Sequence, residues 1–456
     1  MGKGLDFMIN GYDQIDKRGA QFAAPKDYKG YLSSRNKGLL LDGDRLRLSE
    51  RTSFQNVAVY GVTGKGKSSV FVKPIILDQS FRDSVLIVND MSGDIYKETS
   101  GHMRDRGYRV IVLNPHDLEH SHRYNPFLDI RHENETVHMA QMFVEATANS
   151  QEQVWSAGAE RFVTFFLKCL RKKGMPYNNP HNLYSLFQQF GEDGSALHRF
   201  VAECSYDDPF MVNEWKSLLS VHKDGLLSFI MNATVALKIF ANKDVCNLTA
   251  TSDIDLSTLR KKKTVVYVIT PPQYQKMYRP VTSMIFLSFL HACMRDMPTK
   301  SDLPVYFLWD EWGNSYLPDA DTFATTVRKY NISLMLFMQG INQLIQTYGR
   351  EKSSVILSGV ATQISFGAAE QETAEYFERR VGTVRETKNP KFMQNQIAKH
   401  VEYSLFTASE IRELPDNEIL VLSDNHKPLR LPTTPSYKHY RFKRLMRKSP
   451  VPIHSK

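Results

Sequence analysis

Two stretches of this chain hold residue types whose spacing could do phosphate chemistry. The first is Gly61-Val62-Thr63-Gly64-Lys65-Gly66-Lys67-Ser68, which fits the pattern G-x-x-x-x-G-K-[ST] and directly follows the apolar run Val57 to Tyr60. The glycines at 61, 64 and 66 carry no Cβ, so the backbone there can take positive φ and turn successive N–H groups inward around a phosphate. The helix that should open next adds its partial positive end, Lys67 can reach the β and γ oxygens, and the Ser68 hydroxyl can hold Mg²⁺. The expected nucleotide contacts are Gly61, Thr63, Gly64, Lys65, Gly66, Lys67, Ser68 and Ser69. A plain glycine turn is the competing reading, but strand and helix flank the loop as a phosphate loop requires.

The second stretch is Asp310-Glu311, which closes the apolar run Pro304 to Trp309. A loop alone binds nucleotide; hydrolysis also needs a metal partner and a group that positions water. Asp310 is expected to hold the Mg²⁺ of an ATP complex and Glu311 to polarise the attacking water, as in a Walker B pair. Without the loop they would be two surface acids at a strand end. Gln339 closes a further apolar run, Ile332 to Met338, which should lie beside the run that ends in Asp310-Glu311; its amide could sense the γ-phosphate, orient water, or only cap a strand. Arg328 and Lys329 end the intervening helix and could reach a neighbouring subunit's nucleotide as an arginine finger, or lie in solvent as a basic helix end. Arg379 and Arg380 compete for that role. Asp90, which closes the run Ser84 to Asn89, could help line the site.

These residues need a scaffold, and the pattern of apolar runs supplies one. Strand, helix, strand, helix, strand over Asn56 to Asn114 implies a parallel α/β sheet with right-handed crossovers, whose carboxyl edge presents ligand-binding groups. From Glu133 to Ala250 apolar residues instead recur at helical spacing, with no convincing strand run. The pattern predicts an all-helical insertion over 133–250 that splits the α/β domain into 1–132, with an extension over 1–50, and 251–426. Residues 1–50 carry turn signals and a hairpin around Gly38 to Leu48, and no chemistry. Asn417 to Leu422 reads as a last edge hairpin.

Composition bounds the rest. At 456 residues, 42% hydrophobic and 23% charged, the chain is globular and long enough for two or more domains. Four widely spaced cysteines suggest a reducing compartment and no zinc site. No signal-peptide core is present, and the best candidate span, Pro280 to Met294, reads as a buried helix. The net charge is +9, and nine Lys or Arg with no acid lie from Lys427 onward, so residues 1–426 are formally neutral. Aromatics alternate with cations from Tyr437 to Lys448. That tail, 427–456, suits nucleic-acid phosphates, an anionic membrane surface, or solubility alone.

Six blocks in order, Gly61–Ser68, Asp90–Tyr96, Arg123–Phe127, Trp309–Asn314, Asn331–Leu334 with Gln339, and Leu414-Pro415, resemble the VirD4/TraG family of conjugative coupling proteins over roughly 57–431. The resemblance implies a RecA-like ATPase, usually a hexamer, which uses ATP and Mg²⁺ to drive relaxase-bound DNA into a type IV secretion channel, with the helical domain facing the cytoplasm and recognising DNA and relaxosome proteins. Relatives usually carry an N-terminal transmembrane pair. Here about 56 polar residues precede the first strand, which leads us to expect peripheral attachment at the cytoplasmic face through a separate small membrane anchor protein, through the channel ATPases, or through a segment outside this sequence. Met91, Ser92 and Asp94 stand where relatives commonly have Pro, Lys and Glu, and the tail is basic where theirs is often acidic. A chromosomal DNA translocase of the same superfamily, and a nucleotide-binding adaptor that recruits protein cargo, are the alternatives.

Overall fold

The apolar run before Gly61 and those that lead to Asp90, Asp310 and Gln339 are strands, and nine strands form one sheet. They are β1 (Val57–Tyr60), β2 (Val85–Asp90), β3 (Arg109–Leu113), β4 (Thr264–Ile269), β5 (Val305–Trp309), β6 (Ile332–Met338), β7 (Thr362–Phe366), β8 (Glu418–Ser423) and β9 (Leu429–Pro432). Their order is β9-β8-β7-β1-β6-β5-β2-β4-β3. From β7 to β3 all neighbours are parallel, and β8 and β9 add an antiparallel edge. The computed structural model describes residues 12–78, 81–147, 153–191, 195–390 and 399–453.

Successive strand residues point to opposite faces, and here both faces are covered. Ala58, Tyr60, Ile87, Val266, Phe307 and Trp309 enter one apolar core, while Val57, Val59, Val88, Tyr267, Tyr306 and Leu308 enter the other. That is why these strands read as continuous apolar runs with no alternation. The fold is the expected α/β class with a mostly parallel sheet.

Seven α-helices occupy Glu133 to Ala250 among the described residues, with no strand between them. The longest, Gln153–Lys173, places Phe162, Phe165 and Phe166 in the interior, where the Phe165 ring stacks on Trp215 at 5.3 Å. This helical core is continuous with the first face of the sheet. The side chains of Val154 and Trp155, apolar residues of the same helix, lie outside the described residues.

The second face is covered by the helix Ser68–Leu77, by Leu39 to Leu41 from the N-terminal segment, and by Phe442, Leu445 and Ile453. The stretch from Lys427 is therefore packed on the body and does not hang free of it. Leu429–Pro432 is a strand of the sheet and Tyr440–Leu445 is a short helix. Its cations meet acids of the body, with Arg430 Nη2 to Glu418 at 2.5 Å and Lys448 Nζ to Asp105 at 2.6 Å. The sequence hid this because apolar residues spaced among nine cations look solvated.

Two further differences from expectation are local. A three-stranded antiparallel sheet, Tyr12–Gly19 with Thr383–Pro390 and Lys399–Ser404, joins the N-terminal extension to the region after β7. The helix Lys223–Ala241 is long and apolar enough to cross a membrane by length and composition, although no stretch was expected to qualify; a third of it is buried in the helical block.

Candidate functional site

Strand β6 lies between β1 and β5, with Tyr60 opposite Met338 and Trp309 opposite Leu336. All three are parallel, so the segments that follow them leave the same edge of the sheet. Those segments are the glycine loop, Gln339 and Asp310-Glu311. They share the wall of one cavity of about 450 Å³ with Lys73, Met91 and Gln275.

The loop is built as its residue types require. Gly64 and Gly66 have φ of +88° and +89°, a region that residues with a Cβ rarely adopt. At Gly61 a Cβ would meet the buried Phe366 ring at 3.0 Å, so any larger residue would have to displace that ring. The Gly61 N–H donates to the Met338 carbonyl at 3.1 Å, which ties the loop's start to β6. The helix after the loop opens with one widened turn, in which the Lys73 N–H reaches the Ser68 carbonyl five residues back. Such turns occur often at functional sites, and this one sits where the helix N-terminus faces the cavity.

Charged groups converge on that helix end. Lys67 is 7% exposed; its Nζ donates to the Gly61 carbonyl at 2.7 Å and stands 3.5 Å from Glu311 Oε1. Gln339 Nε2 donates to Glu311 Oε2 at 3.3 Å. The Ser68 hydroxyl donates to Asp310 Oδ2 at 2.9 Å, and the Glu311 N–H donates to Asp310 Oδ1 at 3.0 Å. Burial, followed by the neighbouring Glu311 charge, raises the Asp310 carboxyl above its ordinary value. Glu311 holds φ of +50°, a left-handed conformation that is uncommon for a side chain of its size. A hydroxyl beside a carboxylate is a hard oxygen donor set that suits Mg²⁺, and the positive-φ glycines leave N–H groups for phosphate oxygens. The residues thus fit a Mg²⁺–nucleotide, and Lys67, Ser68, Asp310, Glu311 and Gln339 are brought together.

The other candidates lie elsewhere. Asp90 is buried and does not line the cavity; its carboxylate accepts the N–H groups of Gly93 at 3.0 Å and Tyr96 at 2.8 Å. It fastens the start of the helix Asp94–Asp105 and does not line the site, which corrects the expectation for it. Arg328, Arg379 and Arg380 line a cleft of about 820 Å³ with Asn56, which precedes β1. The loop follows β1, so the cleft is at the opposite edge, at least ~13 Å away along four strand residues. These arginines do not reach their own chain's loop. Lys329 and Lys65 are also distinct from the acid cluster: Lys329 is not part of it, and Lys65 Nζ pairs with Asp416 at 2.6 Å.

Sequence reasoning missed Asn89, whose Nδ2 donates to the Asp310 carbonyl at 2.6 Å and holds the end of β5 in place. Its signal was a second polar residue beside Asp90 at the end of an apolar run. Lys73, paired with Glu98 at 2.8 Å, was read only as part of the helix.

Comparison with known proteins agrees with this geometry. Protein VirD4 of Rhizobium radiobacter is 26% identical over 413 residues, which cover 85% of this chain and 58% of that protein. The chain therefore spans less than two thirds of that relative's length. Among solved structures, the plasmid coupling protein TrwB in complex with the non-hydrolysable GTP analogue GDPNP superposes with a TM-score of 0.74 at 16% identity, over 93% of this chain and 96% of that one. TrwB in complex with ADP and Mg²⁺ gives 0.70 at 15% identity, over 92% and 95%. These neighbours make the fold RecA-like. A family model described as type IV secretory system conjugative DNA transfer matches residues 14–455, and the chain belongs to that family, of VirD4/TraG type.

Proposed function

We propose that this chain is the ATP-hydrolysing motor of a conjugative DNA-transfer system. The observation that carries the proposal is the meeting, at one sheet edge, of a glycine loop, a Ser68–Asp310 pair and a Lys67–Glu311–Gln339 cluster. Nucleotide complexes of the similarly folded TrwB support ATP and Mg²⁺ as the ligands.

The loop N–H groups and Lys67 bind the triphosphate, with Lys67 exchanging the Gly61 carbonyl for phosphate oxygens. Ser68 and Asp310 would hold Mg²⁺, which neutralises charge on the β and γ oxygens. Glu311 accepts a proton from the attacking water, and Gln339 orients that water through its contact with Glu311. Phosphoryl transfer is catalysed mainly by such positioning and charge stabilisation. Arg328 completes the site from a neighbouring subunit in a homo-hexamer, since it stands at the edge opposite its own loop. Turnover moves DNA towards the secretion channel, with relaxase-bound DNA, relaxosome proteins and the channel ATPases as partners. The motor works at the cytoplasmic face of the membrane.

The test is ATP turnover by purified protein with and without single- and double-stranded DNA, alongside plasmid transfer in cells. Lys67→Ala and Glu311→Gln should each abolish turnover and transfer while leaving the circular dichroism spectrum unchanged. Transfer at normal frequency with either variant overturns the proposal.

A further inference from the structure

The hydrolytic cavity has a neighbour. A second cavity of about 400 Å³ lies against the other side of the glycine loop and shares Gly64, Gly66 and Ser69 with the first. We infer that this second cavity receives the nucleoside of the bound nucleotide, and that the segment from Thr433 to Lys438 recognises it. The inference rests on the reading of Lys67 and Ser68 as triphosphate ligands.

Direction follows from the acids. The terminal phosphate belongs where Lys67, Glu311 and Gln339 converge, because attack on it needs a base and an oriented water. The triphosphate then runs back over Gly66 towards Ser69 at the helix N-terminus. Ribose and base leave the loop on the side away from Glu311, and the second cavity lies on that side.

Its walls have the chemistry of a nucleoside site. Tyr437 is 56% exposed and offers a ring face on which a base can stack. Thr433 is 7% exposed, and its buried hydroxyl has no hydrogen-bond partner among the described residues. Such a group costs stability unless something pairs with it, and a ring nitrogen or exocyclic group of a base would do so. Lys438 supplies a cation for the α-phosphate side, and Asp416, held by Lys65, supplies an acceptor for ribose hydroxyls.

The segment is anchored to the loop helix itself. The Ser436 N–H donates to the Ser69 carbonyl at 2.8 Å, the Thr433 N–H to the Asn417 carbonyl at 2.7 Å, and the Thr434 N–H to the Asp42 carbonyl at 2.8 Å. A Cβ at Gly43 would fall 2.2 Å from the Thr434 carbonyl oxygen, so this approach admits only glycine. The aromatic and basic stretch that reads as a polyanion-binding tail thus begins as a wall of the nucleotide site.

Calorimetric titration of the full chain with Mg²⁺–ATP and with Mg²⁺–tripolyphosphate, which has the phosphates and no nucleoside, tests this. Wild type should bind both. Tyr437→Ala should weaken ATP about tenfold, and Thr433→Val several-fold, with tripolyphosphate unchanged in each. Unchanged ATP affinity in both variants overturns the inference, as does equal loss of both ligands, which would mean that the loop itself had moved. Lys67→Ala should lose both ligands; if it binds both as wild type does, the triphosphate reading falls and takes the inference with it.

Discussion

Ser68 and Asp310 stand 242 positions apart in the chain and 2.9 Å apart between hydroxyl and carboxylate. The contact exists because β6, the last-added of three neighbouring strands, inserts between the strand that ends in the loop and the strand that ends in the acids. The chain between them includes the entire helical block, which enters and leaves the sheet without disturbing that edge.

Asp310 bears a cost for its place. Its carboxyl is raised by burial first and by Glu311 second, so its contribution to stability is fully present below the ordinary aspartate range and is lost as pH rises through the folded value. Asp310→Asn should therefore gain stability relative to wild type as pH rises from 4 to 7, because the amide cannot ionise. Turnover should be lost. Thermal melts at the two pH values check the first expectation; an Asn variant less stable at pH 7 than at pH 4, relative to wild type, would contradict it.

Glu311 and Gln339 should separate by magnitude. With Glu311 as the proposed base, Glu311→Gln should lower kcat by 10²-fold or more while nucleotide still binds, because the loop is unchanged and Lys67 loses only its ion pair with Glu311. Gln339→Ala removes only a 3.3 Å contact to Glu311 and should cost about tenfold in kcat with little change in KM. Steady-state kinetics distinguish them, and equal losses would deny Gln339 a subordinate role.

The strands and the loop were legible because parallel strands buried on both faces leave continuous apolar runs, and because a phosphate loop constrains eight consecutive positions. Asp90 was misread since an acid at the end of a strand looks the same whether it faces a ligand or the next helix. The choice depends on the left-handed Gly93, which turns the chain so that the N–H groups of Gly93 and Tyr96 point back at the carboxylate. The packed C-terminal segment was hidden for a different reason: Phe442, Leu445 and Ile453 are too few and too scattered to give a period. Arg328 could be recognised as basic, but which sheet edge it occupies depends on the direction of the connection into β6, at whose amino end it lies.

Asp90 gives a prediction that needs no nucleotide. Burial pushes its carboxyl up to about 6, against the opposing pull of its backbone N–H donors. The stability it confers is fully present below about 4 and is lost as pH rises through about 6. Asp90→Asn cannot ionise, although it gives up one or more of the N–H bonds. The stability difference between variant and wild type should move in the variant's favour by about 2 kcal/mol between pH 4 and pH 7. Urea titrations across that range measure it; a flat difference would mean that folding leaves the Asp90 carboxyl at its ordinary value.

Arg328 tests the assembly. It lines a cleft at the edge opposite its own loop, so any action on nucleotide must be on a neighbour's. Arg328→Ala and Lys67→Ala should each be inactive alone, the first by 10³-fold or so if the arginine acts as a finger. Mixed one to one and allowed to exchange, they should regain activity at about a quarter of the subunit junctions, those that pair an intact loop with an intact arginine. Turnover assays on the mixture read this directly. No recovery would place the Arg328 defect within its own subunit, and wild-type turnover by Arg328→Ala alone would remove it from the mechanism.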